Sequence, residues 1–203
     1  MLLAHRLARS GLAVAAIDGP FHGGRVAEPL SAAAYEQLIV DRGVERVLDT
    51  MTEDWLAMID VVSQFANVRT GKLGYLGMSM ATRFGLPLAA ALGGRLDAAV
   101  LGKFGLEQSL ALHPGLSTRQ RTMSDATHVV APVMYHVQWD DEIFPRTGQF
   151  ALFDDLASKD KRLVAFPGPH AGSSDSMFTV WCQFLTEKLL GEELSPQKSR
   201  SSD

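Results

Sequence analysis

Ser79 lies in the run Tyr75-Leu76-Gly77-Met78-Ser79-Met80-Ala81, where an apolar stretch of strand character passes without a spacer into one of helical character. A serine at such a turn sits in a strained backbone position that presents its hydroxyl, and the residues two places to either side must be small for strand and helix to approach. Gly77 and Ala81 meet that condition. The same serine could merely cap the following helix, but the strand-turn-helix context favours a nucleophile. The backbone N–H of Met80 would then point at an oxyanion formed on Ser79, while the Met78 and Met80 side chains read as packing.

A hydroxyl is a weak nucleophile at neutral pH and needs a base and a group to orient that base. Both residue types follow in order. Gln138-Trp139-Asp140-Asp141-Glu142-Ile143-Phe144-Pro145 supplies a cluster of carboxylates, of which Asp140 or Glu142 would serve as solvated charges facing the next helix dipole. His170 lies in Gly168-Pro169-His170-Ala171-Gly172, a loop too constrained for an ordinary surface turn. Serine, acid and histidine, each at the carboxyl end of its own strand, form the constellation of acyl transfer. His22, in Pro20-Phe21-His22-Gly23-Gly24, reads as a residue that shapes its loop rather than reacts.

The elements that must carry these residues alternate. Residues 2 to 9 put Leu2, Leu3 and Leu7 opposite His5, Arg6 and Arg9, a short amphipathic helix closed by Gly11. Leu12 to Ile17 is a continuous apolar run, the pattern of a strand buried on both faces. A helical region follows from about Ser31 to Ala66, broken near Arg42-Gly43, with Trp55, Met58, Ile59 and Val62 as its buried stripe. Further strands are expected at Lys72 to Leu76, Leu96 to Leu101, Pro132 to Gln138 and Arg162 to Phe166, and helices up to about Leu92, at Thr147 to Leu156 and at Ser176 to Leu190. Gly102 to Thr127 has no clean period and reads as a loop or small cap. Its Phe104, Leu106, Leu110 and Leu112 would pack a cap helix in preference to lining an acyl site. The alternation implies an α/β fold with a mainly parallel, doubly wound sheet, in one domain over residues 1–191 followed by a polar, disordered tail at 192–203.

The 203 residues are 46% hydrophobic and 21% charged, with a net charge of −4 and no basic cluster, so nucleic acid is not an expected partner. No apolar run reaches the roughly 18 residues of a membrane span. A single cysteine, Cys182, rules out a disulfide framework within the chain and fits a cytoplasmic setting. No cofactor or metal is expected, and assembly into a homo-oligomer is left open.

Four motifs together carry a family resemblance that extends over nearly the whole chain. Asp18-Gly19-Pro20-Phe21-His22-Gly23-Gly24-Arg25 resembles the loop after the fourth strand of α/β-hydrolases of the dienelactone-hydrolase-like or esterase kind; Gly77-Met78-Ser79-Met80-Ala81 resembles their elbow, Asp141-Glu142-Ile143-Phe144-Pro145 their acid loop, and Pro169-His170-Ala171-Gly172 their histidine loop. The resemblance implies a serine hydrolase of a small-molecule acyl or ester substrate, with Ser79 as nucleophile, His170 as base and Asp141, four residues before Pro145, as the acid in preference to Asp140. It also implies an N-terminally truncated sheet, because the chain begins within what resembles the helix after the third strand. The edges so exposed would be closed by direct pairing of Leu12–Ile17 with Lys72–Leu76 or by another subunit, or would leave the chain poorly soluble. Two rival readings remain at this level: a catalytically impaired binding protein, and a fragment whose start codon is placed too far downstream.

Overall fold

The computed structural model describes residues 2–68 and 71–191; the tail expected at 192–203 lies outside them. Four strands form one sheet in the order β1-β2-β3-β4: β1 Gly74–Leu76, β2 Ala98–Gly102, β3 Val133–Gln138 and β4 Lys161–Phe166. Every neighbouring pair is parallel, with Tyr75 opposite Ala99, Leu101 opposite Tyr135 and Gln138 opposite Phe166.

The helices are α1 Leu2–Arg9, α2 Ala32–Arg42, α3 Val44–Val62, α4 Met80–Leu92, α5 Arg119–Ala126, α6 Arg146–Asp155 and α7 Asp175–Leu190. Because side chains alternate along a strand, the sheet feeds two cores. Tyr75, Ala99, Leu101, Val133, Tyr135 and Val137 meet Leu86, Leu88 and Leu92 of α4 and Leu152 of α6 on one face. On the other, Ala98, Val100 and Met134 meet Leu7 of α1 and Met177, Trp181, Phe184 and Leu185 of α7. Burial on both faces is why the central strands read as unbroken apolar runs. A third cluster, with Ile39, Val47, Leu48 and Met51, packs α2 and α3 against Phe84 of α4. The break between α2 and α3 falls at Gly43, whose φ of 86° is open to a residue without Cβ.

One expectation is corrected. Leu12–Ile17 is not a strand: among the described residues it has no ladder partner, Ala13 to Ala16 are exposed, and only Leu12 and Ile17 at its ends pack against apolar clusters. It does not pair with β1. Within the stretch expected as loop or cap lies α5, whose buried residues are Thr122 and Ala126, so its inward face carries no large apolar period. Phe104 and Leu106 are buried in the core and Leu112 packs against it, whereas Leu110 is exposed.

Candidate active site

The elbow is built from β1, β2 and α4. Gly77 N–H donates to Val100 O and Ser79 N–H to Gly102 O, both at 2.9 Å, carrying the β1–β2 ladder past the end of β1. Ser79 has φ 56° and ψ −116°, a conformation that costs of the order of 1–3 kcal/mol and persists only where its surroundings over-determine it. Those surroundings are specific. A Cβ on Gly77 would come 2.7 Å from Ala81 O, so this position admits glycine alone. Thr82 Oγ1, fully buried, lies 2.7 Å from Gly77 O and 2.8 Å from Gly102 O and accepts the Gly102 N–H at 2.9 Å. Tyr75 OH donates to Ala81 O at 2.6 Å. Met80 is the first residue of α4, so its N–H has no partner one turn back and is free for an anion.

Asp141 is the best-held carboxylate of the cluster after β3. Its Oδ1 accepts the N–H groups of Ile143 at 2.9 Å and Phe144 at 2.8 Å, and its Oδ2 accepts from His170 Nδ1 at 2.8 Å. The other imidazole nitrogen, Nε2, is 2.7 Å from Ser79 Oγ. An ionised carboxylate only accepts, so Nδ1 carries the proton and the Nε2 lone pair faces the hydroxyl. The ring rests on Phe144, centroids 5.7 Å apart. Ser79, His170 and Asp141 therefore form one hydrogen-bonded chain. Asp140 is elsewhere: it accepts from Gly168 N at 3.0 Å, and Glu142 accepts from His170 N at 2.8 Å. Both carboxylates thus brace the histidine loop, beyond the dipole role expected of them. Accepting the His170 N–H holds Glu142 below the usual carboxylate range.

Beneath that loop is a polar group that sequence reading did not single out. Gln138 Nε2 donates to Pro167 O at 3.0 Å and Gly168 O at 2.9 Å, and its Oε1 accepts from His136 Nε2 at 2.9 Å. Gln149 Nε2 reaches Phe144 O at 2.7 Å and Asp141 Oδ2 at 3.4 Å. His136, stacked on Phe166 with centroids 5.2 Å apart, is pushed down to about 4 by burial, with the Gln138 hydrogen bond opposing and Lys103 adding to the shift. Lys103 Nζ donates to the carbonyls of His170 and Gly172. The sequence signal was available: two amide or imidazole side chains inside an apolar run whose every residue is buried.

His22 lies in the loop after Ile17, its Nδ1 2.9 Å from Pro20 O and its ring edge-on to Tyr35 at 4.5 Å. Tyr35 OH in turn donates to Met80 Sδ at 2.8 Å, and burial pushes the phenol up to about 12. A cleft of about 320 Å³ lies beside Leu106, Gln108, Leu110, Leu112 and Arg119, and Ser79, Asp141 and His170 are not among its lining residues. No helix among the described residues is long and apolar enough to cross a membrane.

A parallel sheet with a serine elbow after one strand, an acid after a later one and a histidine after the last is the arrangement of an α/β-hydrolase fold. Residues 1–173 match the dienelactone hydrolase family, and the chain belongs to it. No match is found among curated proteins. Among solved structures, the fold is similar to that of a PEG-bound cold-adapted esterase from an Arctic intertidal metagenomic library, with TM-score 0.76 and 29% identity over 93% of this chain and 74% of that one. It is also similar to the monoacylglycerol lipase of Paleococcus ferrophilus, with TM-score 0.61 and 17% identity over 92% of this chain and 88% of that one, a likeness of fold alone.

Proposed function

We propose that the protein is a serine hydrolase of a small ester or related acyl substrate, working through an acyl-enzyme. The observation that carries the reading is the continuous chain from Ser79 Oγ through both imidazole nitrogens of His170 to Asp141, with links of 2.7 and 2.8 Å. In the first half-reaction Ser79 Oγ bonds to the substrate carbonyl carbon while His170 Nε2 takes the hydroxyl proton. The resulting oxyanion meets the Met80 N–H, and the α4 N-terminus adds its positive end. Collapse breaks the bond to the leaving oxygen, which receives the proton from His170. Water then repeats the sequence on the acyl-serine, His170 again moving the proton, and releases the acid with Ser79 restored. Asp141 fixes the Nδ1–H tautomer and stabilises the transient imidazolium. The cold-adapted esterase, similar over most of this chain, supports the choice of an ester.

Hydrolysis of a short-chain aryl ester by the purified chain tests the reading. Ser79→Ala and His170→Ala should each lower kcat by about 10³-fold or more, and Asp141→Asn by a comparable or smaller factor. Full turnover in Ser79→Ala would end it.

A further inference from the structure

His170 is gripped through its own peptide as well as through its ring. Its N–H donates to the Glu142 carboxylate at 2.8 Å, and its carbonyl accepts from the Lys103 ammonium at 3.0 Å. The same ammonium donates to Gly172 O, two residues on. Opposite charges thus hold the two polar ends of one residue, and charge-assisted hydrogen bonds of this kind are stronger than neutral ones.

Lys103 is an unusual residue to find in that role. It is only 6% exposed, and its φ of 49° lies in the left-handed region. Burial lowers the affinity of its amine for a proton, with the Asp141 carboxylate opposing that shift. A chain under no demand at this point would place an apolar side chain there. The position explains the demand: Gly102, immediately before it, accepts the Ser79 N–H at 2.9 Å, and the Lys103 N–H donates to His136 O at 3.0 Å. Two consecutive residues at the end of β2 therefore hold the backbone of the serine elbow and the backbone of the histidine loop.

We propose that Lys103 and Glu142 are positioning residues, a two-sided clamp that keeps His170 Nε2 on the Ser79 hydroxyl. This rests on the reading of Ser79, His170 and Asp141 as a triad. A displacement of about 1 Å in a reacting group can cost up to about 10²-fold in rate, so the clamp acts on reactivity rather than on substrate affinity.

The test is the rate of covalent modification of Ser79 by a fluorophosphonate, in which the Oγ–P bond forms, fluoride leaves and the hydroxyl proton passes to His170. The limiting rate and the half-saturating probe concentration are measured for the wild-type chain and for Lys103→Met, Lys103→Arg and Glu142→Ala, with thermal midpoints alongside. The expected result is a limiting rate about ten-fold lower in Lys103→Met and about three-fold lower in Glu142→Ala, with half-saturation unchanged and most of the loss recovered in Lys103→Arg. Wild-type limiting rates in both Lys103→Met and Glu142→Ala, whatever their midpoints, would overturn the proposal. If Lys103→Met does not fold, the solvent-exposed Glu142→Ala decides alone, and a wild-type rate there overturns it. An unlabelled wild-type protein removes the triad reading itself, and the clamp with it.

Discussion

Leu12–Ile17 and β2 are built from the same residue types, Leu-Ala-Val-Ala-Ala-Ile against Ala-Ala-Val-Leu-Gly, and only β2 stands in the sheet. β2 lies between β1 and β3, and its Val100 and Leu101 are fully buried. Val14, in the middle of the other run, is 43% exposed. An apolar run is a condition for a buried strand; paired neighbours on its ladder edges are what make it one. The loop beyond Ile17 keeps its place near the elbow by other means. Ile17 and Phe21 pack with Met80 in the α2–α3 cluster, Asp18 accepts the Gly24 N–H at 2.8 Å, and Arg25 pairs with Asp54 of α3 at 2.5 Å.

Proline scanning should separate the two regions most sharply. Ala99→Pro removes an N–H that donates to Pro132 O at 2.9 Å in the sheet centre, and should cost about 3 kcal/mol or more, against less than about 1 kcal/mol for Ala15→Pro. Urea unfolding of the two variants measures the difference; equal losses would mean that Leu12–Ile17 is paired in solution. Truncation should show a smaller gap of the same sign. Leu101→Ala leaves a core cavity and should cost about 2–5 kcal/mol, while Val14→Ala should stay within about 0.5 kcal/mol.

The pH dependence of stability probes the polar layer under the paired strands. Burial lowers His136 from its ordinary 6.5 to about 4 in the folded chain, so between those values the unfolded chain binds the extra proton. Stability contributed by keeping this ring neutral is therefore intact above pH 6.5 and falls as the pH drops toward 4, by up to about 3 kcal/mol. Unfolding midpoints at pH 7 and pH 4.5 should differ accordingly, and His136→Gln should flatten that part of the profile. An unchanged profile in His136→Gln would place the titration elsewhere.

What could be read from residue order follows the same division. The parallel strands, the elbow and the acid and histidine loops were legible because each pairs a local pattern with a local consequence: apolar runs, small residues around Ser79, constrained turns after strands. The preference for Asp141 over Asp140 came from the family resemblance, through its place four residues before Pro145, and Asp141 is the carboxylate hydrogen-bonded to His170 Nδ1. Leu12–Ile17 was misread because strand formation depends on partners distant in sequence. α5 was not given bounds within the stretch expected as a loop or small cap, because its packed face is Thr122 and Ala126, which give no apolar period. Lys103, Gln138 and Gln149 were passed over, and Glu142 was read only as a solvated charge facing a helix dipole, because their partners are mostly backbone groups, and which carbonyl or N–H a polar side chain meets is settled by the tertiary fold.

The proposed activation of the Ser79 hydroxyl by His170, for attack on an acyl carbon, can be read from covalent labelling followed by peptide mass spectrometry. The folded chain treated with a fluorophosphonate should carry one phosphonyl group on the peptide containing Ser79. Labelling should vanish in Ser79→Ala and fall by about 10³-fold or more in His170→Ala. Folded protein that remains unmodified at Ser79, or that labels equally well in His170→Ala, would contradict the account and leave a binding protein on a hydrolase fold.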